Sequence, residues 1–326
     1  MKKITAKDVA ALAGVSVAAV SRAYRVDAPI SDEKRKAIFA AAARLGYISN
    51  VDKVLSKQST NTIAMVVSEL RNPFYPSAID ELIRQLPERG LKAIVHVVTS
   101  ADEVDTIMRQ VLDFRTEGVI LASSTMTSRL ARSCREMGLP AVLLNRVQSD
   151  SSMMAVCCDN YSGARQIAAR FLSGGRQRIA FVGGRSDTST HLERMRGFQD
   201  QLEHGGQSIC CQFDGGFDYQ QAFRAGQVLL EQRPLPDAVF CANDIMAIAV
   251  LDAARIKGIS VPKDIAVIGF DDIPMAAWES YRLTTIRQPL RRMLKQAVDI
   301  IVNADASIET GDIRVLQGEM QERESG

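Results

Sequence analysis

Four apolar runs of this chain end in polar residues: Asn145 after "AVLL", Asp159–Asn160 after "AVCC", Asn243–Asp244 after "AVFCA" and Asp271–Asp272 after "AVIGF". Carboxylates and amides in that position can accept and donate hydrogen bonds to a ligand rich in hydroxyl groups. The aromatics Phe74, Tyr75 and Phe217 could supply flat faces for its C–H surface. Each residue alone also has a plain structural use, because Asp and Asn cap helices. Their recurrence at the same end of successive runs points to a binding cleft.

Other chemistries find little support. "FVGGRSDTS" lacks the spacing and the Lys-Ser/Thr of a phosphate-binding loop, and neither GxSxG nor HExxH occurs. His96, His191 and His204 are scattered, and Asp271–Asp272 stands without other hard ligands, so no metal or cofactor is expected. The six cysteines, Cys134, Cys157, Cys158, Cys210, Cys211 and Cys241, form no CxxC. Several sit in apolar runs, where a reduced thiol packs as a small hydrophobe. An enzyme is not the expected reading.

The elements that must carry the polar ends alternate. From Ile63 onward, strand-like runs ("IAMVVS", "KAIVHVV", "GVILAS", "AVLLN", "AVCCD", "RIAFVGG", "DAVFCAND", "IAVIGFDD") are separated by helix-like stretches such as "NYSGARQIAARFLSGG" and "DIMAIAVLDAARIKG". Strands that are apolar throughout and joined by helices predict parallel sheets covered on both faces, with ligands beyond the strands' carboxyl ends. Some 260 residues of this pattern exceed one sheet, so two α/β lobes are expected.

The first sixty residues differ in kind. They hold eleven Lys/Arg against five Asp/Glu, whereas the other 266 hold 29 against 33. A basic head on a slightly acidic body suggests nucleic-acid binding. "TAKDVAALAGVSVAAVSRAYR" reads as two short helices around a turn at Gly14. Thr5 and Ser16 are their caps, and Val9, Ala10 and Leu12 form the apolar side of the first. The second helix turns Val20 inward and leaves Val17, Ala18, Ser21 and Arg22 outside. A third begins at cap Ser31 and buries Ile38, Ala42 and Leu45. This is a helix-turn-helix, with Val17 and Ala18 suited to thymine methyls and Arg22 to guanine or phosphate.

No apolar stretch approaches the eighteen residues of a membrane span, and "MKKITAKDVAALAG" lacks the apolar core of a secretion signal. A cytoplasmic, nucleoid-associated protein is expected.

These motifs in this order, with "NPFY", "LLNR", "R..GF" and "LTTIRQP", resemble the lactose/galactose repressor family of bacterial transcription regulators over nearly the whole chain. The resemblance implies an all-α helix-turn-helix head plus an α/β body of two parallel-sheet lobes, like a periplasmic sugar-binding protein. The implied organisation is a head at 1–46, a hinge segment at 47–61 and a body at 62–326. Within the body, an N-subdomain takes about 62–159 and 290–315 and a C-subdomain about 160–288. It also implies a homodimer on a near-palindromic double-stranded operator. A sugar, sugar acid or sugar phosphate in the cleft would relieve repression at a carbohydrate-utilisation operon.

By position, the effector residues would be Phe74, Tyr75, Asn145, Thr190, Arg194, Phe217, Asn243, Asp271 and Gln288. Asn145 departs from the family's commoner Asp. The head would contact DNA through Val17, Ala18 and Arg22, with Ser16 and Ser21 nearer phosphates, and with Thr5, Arg25 and Ser31 beside them. Asn50 and Leu55 would act from the hinge, Leu55 as a minor-groove wedge, although Ser49 replaces the family's proline there. Alternatives are corepression, where an anion meets Arg146 and Arg194, a transport solute-binding protein, and a sugar-processing enzyme with a DNA-binding head.

Overall fold

A computed structural model of the chain describes residues 5–23, 30–45, 60–98, 106–107, 110–111, 114–122, 133–134, 138–147, 153–303 and 311–326. It divides into two compact units, 1–60 and 61–326.

In the first unit, helix α1 (Ala6–Ala13) starts where the Thr5 backbone N–H and hydroxyl both donate to the Asp8 carboxylate, at 2.7 and 2.6 Å. Gly14 ends it with φ 64°, a left-handed conformation that costs glycine little, and donates to the Ala10 carbonyl. Helix α2 (Val17–Ala23) begins at Ser16, whose hydroxyl accepts from the Ala19 N–H at 3.2 Å. Helix α3 (Asp32–Leu45) closes a core of Val9, Ala10, Val20, Ala23, Ile38, Ala41 and Ala42.

Leu12 is not part of that core: it is 44% exposed. The buried stripe of α1 centres on Val9, Ala10 and Ala13, and Leu12 falls about a third of a turn away. The Leu45 side chain, Arg25 and the segment 46–59, with Asn50 and Leu55, lie outside the described residues.

The second unit holds two parallel sheets. The first comprises β1 (Thr62–Val67), β2 (Lys92–Val97), β3 (Gly118–Ala122), β4 (Ala141–Leu144), β5 (Met154–Cys158) and a late strand, β11 (Ile313–Leu316), in the order β11-β5-β4-β3-β1-β2. The second comprises β6 (Ile179–Gly183), β7 (Ile209–Asp214), β8 (Ala238–Cys241) and β9 (Ala266–Ile268), in the order β7-β6-β8-β9. Strands β1, β3, β5, β6 and β8 are buried along their whole length, as their unbroken apolar runs require.

Helix α4 (Phe74–Gln85) follows β1. Helices α5 (Asn160–Ser173), α6 (Ser189–His204), α7 (Tyr219–Leu229) and α8 (Asp244–Ile256) accompany the second sheet. Helix α9 (Leu290–Val302) buries Met293, Leu294, Ala297, Val298, Ile300 and Ile301 in the main core. Its branched edge reaches Gly118 of β3, where an added Cβ would meet the Ile301 side chain at 2.5 Å.

The chain passes between the sheets at 158–160, again where β10 (Thr285–Arg287) leads to α9, and a third time between β11 and β12 (Glu319–Gln321). Strands β10 and β12 pair antiparallel, so two of the three passages are bound to each other.

Four of the described strands were not legible as apolar runs: the three-residue β10 and β12, and β7 and β11. β7 alternates partly buried and exposed residues because one face of this edge strand is open to solvent, and it carries a bulge opposite Ile179 and Ala180. β11 (IRVL) is equally an edge, with Val315 58% exposed.

Helices α5 and α6 pack at close range through Gly197, where an added Cβ would lie 2.2 Å from the Tyr161 carbonyl oxygen. Backbone cannot yield as a flexible side chain does. Gly197→Ala is therefore expected to destabilise the body by about 2–3 kcal/mol, read as a lower urea midpoint at unchanged m-value. A wild-type midpoint would mean that the two helices slide apart freely.

Candidate functional site

At the carboxyl ends of the strands lies a cavity of about 20 Å³ lined by Asn72, Phe74, Tyr75, Asn145, Arg146, Thr190, Arg194, Phe217, Asn243 and Asp271. Eight of the nine sequence-predicted effector residues line it, and the ninth, Gln288, donates to Asp271 at 2.7 Å.

Local rules explain how the sequence delivers them. Asn72 Oδ1 accepts from the Phe74 N–H at 3.1 Å just ahead of α4, whose N-cap position is Pro73 and whose first turn holds Phe74 and Tyr75. Thr188 and Asn243 are the N-caps of α6 and α8, accepting from the amides of His191 and Met246. Three helix N-termini, the positive ends of their dipoles, thus face one cavity. Asn145, Phe217 and Asp271 take φ of 57°, 61° and 127°, values rarely adopted without glycine. Such backbone strain costs on the order of 1–3 kcal/mol per residue and concentrates at sites with a function.

Arg194 is the hub. Only 2% exposed, its Nε donates to Asn160 Oδ1 at 2.8 Å, its Nη1 to the Ala242 carbonyl, and its Nη2 to Asp271 Oδ1 at 3.1 Å. Its guanidinium also lies 3.7 Å from the centre of the Phe270 ring. Burial pushes the Asp271 carboxyl above its ordinary range, and the Arg194 charge opposes that rise.

Polar atoms remain for a ligand. Asn145 Oδ1, Asn243 Nδ2 and Gln288 Oε1 are buried without a hydrogen-bond partner among the described residues. Asp271 Oδ2 takes no protein donor among the described residues. Acceptors and a donor of this kind, beside the T-shaped Phe74–Tyr75 pair at 5.5 Å, suit vicinal hydroxyls above a C–H face.

Arg146 enters from the end of β4. It donates to Thr190 Oγ1 at 3.1 Å and to the Tyr75 hydroxyl at 3.4 Å. Beside it, the Val147 N–H donates to Ser189 Oγ at 3.1 Å. These bonds join the β4 side of the cleft to the first turn of α6.

Sequence reasoning placed neither Asn72 nor Phe270 at the site. Asn72, ahead of Pro73, carried a capping signal that could have found it. Phe270 carried none, because an aromatic in an apolar run is ordinary core.

Behind the cavity, Asp244 is fully buried, and Ile273 N–H and Thr285 Oγ1 donate to it. Burial, reinforced by the Asp271 charge, pushes its carboxyl from 3.8 up to about 8. A carboxyl raised in the folded state contributes stability that is complete below its unfolded pKa and is lost as pH rises through the folded one. Wild type should therefore weaken by on the order of 1 kcal/mol per pH unit between pH 5 and 7. Asp244→Asn, whose oxygen can accept from the Ile273 N–H while its amide donates to Thr285 Oγ1, should flatten that slope in urea titrations. An unchanged slope would mean that Asp244 stays ionised.

The head presents its own candidates. Ser16, Val17, Ala18, Ser21, Arg22 and Ser31 are exposed, and Arg22 Nε leans on the Ala18 carbonyl at 3.4 Å. Thr5 is exposed, but its hydroxyl is held by Asp8. Among the described residues no three His, Cys, Asp or Glu side chains are placed to hold a metal ion. No helix there is long and apolar enough to cross a membrane.

Comparison with known proteins matches residues 5–50 to bacterial regulatory proteins of the lacI family and residues 168–325 to a periplasmic binding protein-like domain. The chain is 31% identical to the HTH-type transcriptional regulator CelR of Thermobifida fusca over 340 aligned positions, covering 100% of this chain and 99% of that one. The solved CelR–cellobiose complex superposes with a TM-score of 0.74 at 31% identity, covering 99% and 100% of the two chains. The lac repressor dimer bound to operator superposes at 0.73 and 24% identity, covering 99% of both chains, and so shares the fold.

Proposed function

The chain belongs to the lacI family of bacterial regulatory proteins, which are DNA-binding transcription regulators, and from that premise we propose that it represses a carbohydrate-utilisation operon until a sugar or sugar derivative enters the cleft. It acts in the cytoplasm as a homodimer on a near-palindromic operator, with no catalytic turnover. The CelR–cellobiose complex and the operator-bound lac repressor dimer support the ligand class and the assembly by analogy.

One observation carries the effector half of the reading. The cavity combines aromatic faces, an Asp271 oxygen free of protein donors, and the unpartnered polar atoms of Asn145 and Asn243. At about 20 Å³ it holds about one water, far below the roughly 300 Å³ at which ligand pockets begin. A sugar needs more room than this, and parting the β4 loop from α6, with loss of the Arg146–Thr190 and Val147–Ser189 bonds, would supply it. That requirement supplies the mechanism. A ligand that favours one lobe arrangement over the other shifts operator affinity, and one that binds both equally shifts nothing.

Calorimetry with a sugar panel, followed by operator binding with and without each hit, tests the reading. The expected result is a ligand that weakens operator binding. A ligand that tightens it would make the protein a corepressor-dependent regulator. Binding without any change in operator affinity would end the induction mechanism. Product formation in a mass-spectrometric assay would overturn the absence of turnover.

A further inference from the structure

The cleft walls carry two guanidinium groups, Arg146 and Arg194, and one carboxylate, Asp271. Arg194 and Asp271 neutralise each other. Arg146, 8% exposed, makes no ion pair among the described residues. Asp187, one of the acidic residues within electrostatic reach of it, is bound to Arg185 at 2.9 Å. The Arg146 guanidinium is hydrogen-bonded to the hydroxyls of Thr190 and Tyr75 and lies 5.9 Å from the centre of the Phe217 ring, with the Asp271 charge acting on it only at longer range. A buried cation without a carboxylate in direct contact is incompletely compensated. The N-termini of α4, α6 and α8 add positive potential on the same cavity.

We infer that the effector is an acidic sugar, a carboxylate- or phosphate-bearing one, whose anionic group is received by Arg146 beside Thr190 at the start of α6. This rests on the reading of the cleft as a sugar site and narrows it. The planar fork of Arg146 offers two donors, Nη1 and Nη2, that already reach oxygen atoms, the geometry that suits a carboxylate or phosphate. Thr190 Oγ1 and the first-turn amides of α6 complete an anion subsite. The neutral part of the ligand falls to Asn145, Asn243 and Asp271. Because Arg146 spans from Tyr75 on α4 to Thr190 on α6, an anion drawn to it is sensed by both sides of the cleft. The cleft thereby selects charge as well as ring shape.

The test is calorimetry on the full chain with hexoses and pentoses, each supplied as the neutral sugar, the sugar acid and the sugar phosphate. The carboxylate and phosphate arms show which anion is taken. The expected result is one acid or phosphate that binds at least about tenfold more tightly than its neutral parent. Arg146→Met should remove that preference, weakening the charged ligand by about tenfold to a hundredfold. Arg146→Lys, which keeps the charge and loses the fork, should recover part of it, and cooperative melting of both variants separates loss of charge from loss of fold. A neutral sugar that binds as tightly as its acid and phosphate, in wild type and Arg146→Met alike, would overturn the charge inference and leave the sugar reading standing. Failure of every sugar, neutral or charged, to bind would overturn the sugar reading and this inference with it.

Discussion

Arg194→Met is expected to lower the stability of residues 61–326 by about 3–5 kcal/mol, the range for breaking one side of a buried ion pair, and to abolish effector binding. Methionine fills much of the same volume, so the loss is electrical more than steric. Asn160 Oδ1, the Ala242 carbonyl and Asp271 Oδ1 each lose a buried donor, and Asp271 keeps only Gln288. Urea unfolding of wild type, Arg194→Met, Asp271→Asn and the double variant measures the coupling. The double variant should be less destabilised than the sum of the singles, because the uncompensated carboxylate is gone. Arg194 is also the charge that holds the Asp271 carboxyl down against burial. In Arg194→Met that carboxyl rises further, so the variant should regain stability as pH falls and lose it as pH rises. A wild-type midpoint for Arg194→Met would mean that the network contributes nothing to the fold.

Arg22→Ala carries the second large effect, a loss of about tenfold to a hundredfold in specific operator affinity with the body unaffected. Arg22 is exposed on α2 one turn after Val17 and Ala18, and its only hydrogen bond among the described residues is a long one to Ala18. It is therefore free to leave that contact for a base edge at small expense. The measurement is operator and random-duplex binding at several salt concentrations. Loss of a base contact lowers the ratio of specific to non-specific affinity, while loss of a phosphate contact lowers both and reduces the salt slope by about one. Uracil in place of thymine at the steps facing Val17 and Ala18 should cost affinity through the missing methyls. If the affinity ratio of Arg22→Ala equals that of wild type, α2 does not read sequence through Arg22.

Much of this molecule was legible without coordinates because the signals are local. An apolar run flanked by helix-like stretches must be a covered parallel strand, as β1, β3, β5, β6 and β8 are. A polar residue after such a run can cap a helix and still have a polar atom to spare, as Asn243 does with its Oδ1 on the Met246 N–H and its buried Nδ2 without a hydrogen-bond partner among the described residues. Gly14 between two capped segments fixed the turn of the head.

Local signals stop where phase, edge or distant charge decides. The same α1 pattern that buries Val9 leaves Leu12 exposed, because a short helix can turn its stripe by a third of a turn at little cost. β7 and β11 are edge strands with exposed residues along their length, so the continuous burial that marks a strand was absent from them. The meeting of Arg194 with Asp271, 77 residues away, closes between two chain segments that no spacing rule connects. That Arg146 hydrogen-bonds hydroxyls, with no carboxylate in ion-pair contact among the described residues, is likewise a fact about which loops converge. The sequence by itself determined the elements, the strand ends and the chemical types gathered there, since these follow from nearest-neighbour periodicity and capping. Only the tertiary structure decided which charges neutralise each other and which lacks a carboxylate in direct contact, because electrostatic compensation depends on distances that folding alone sets.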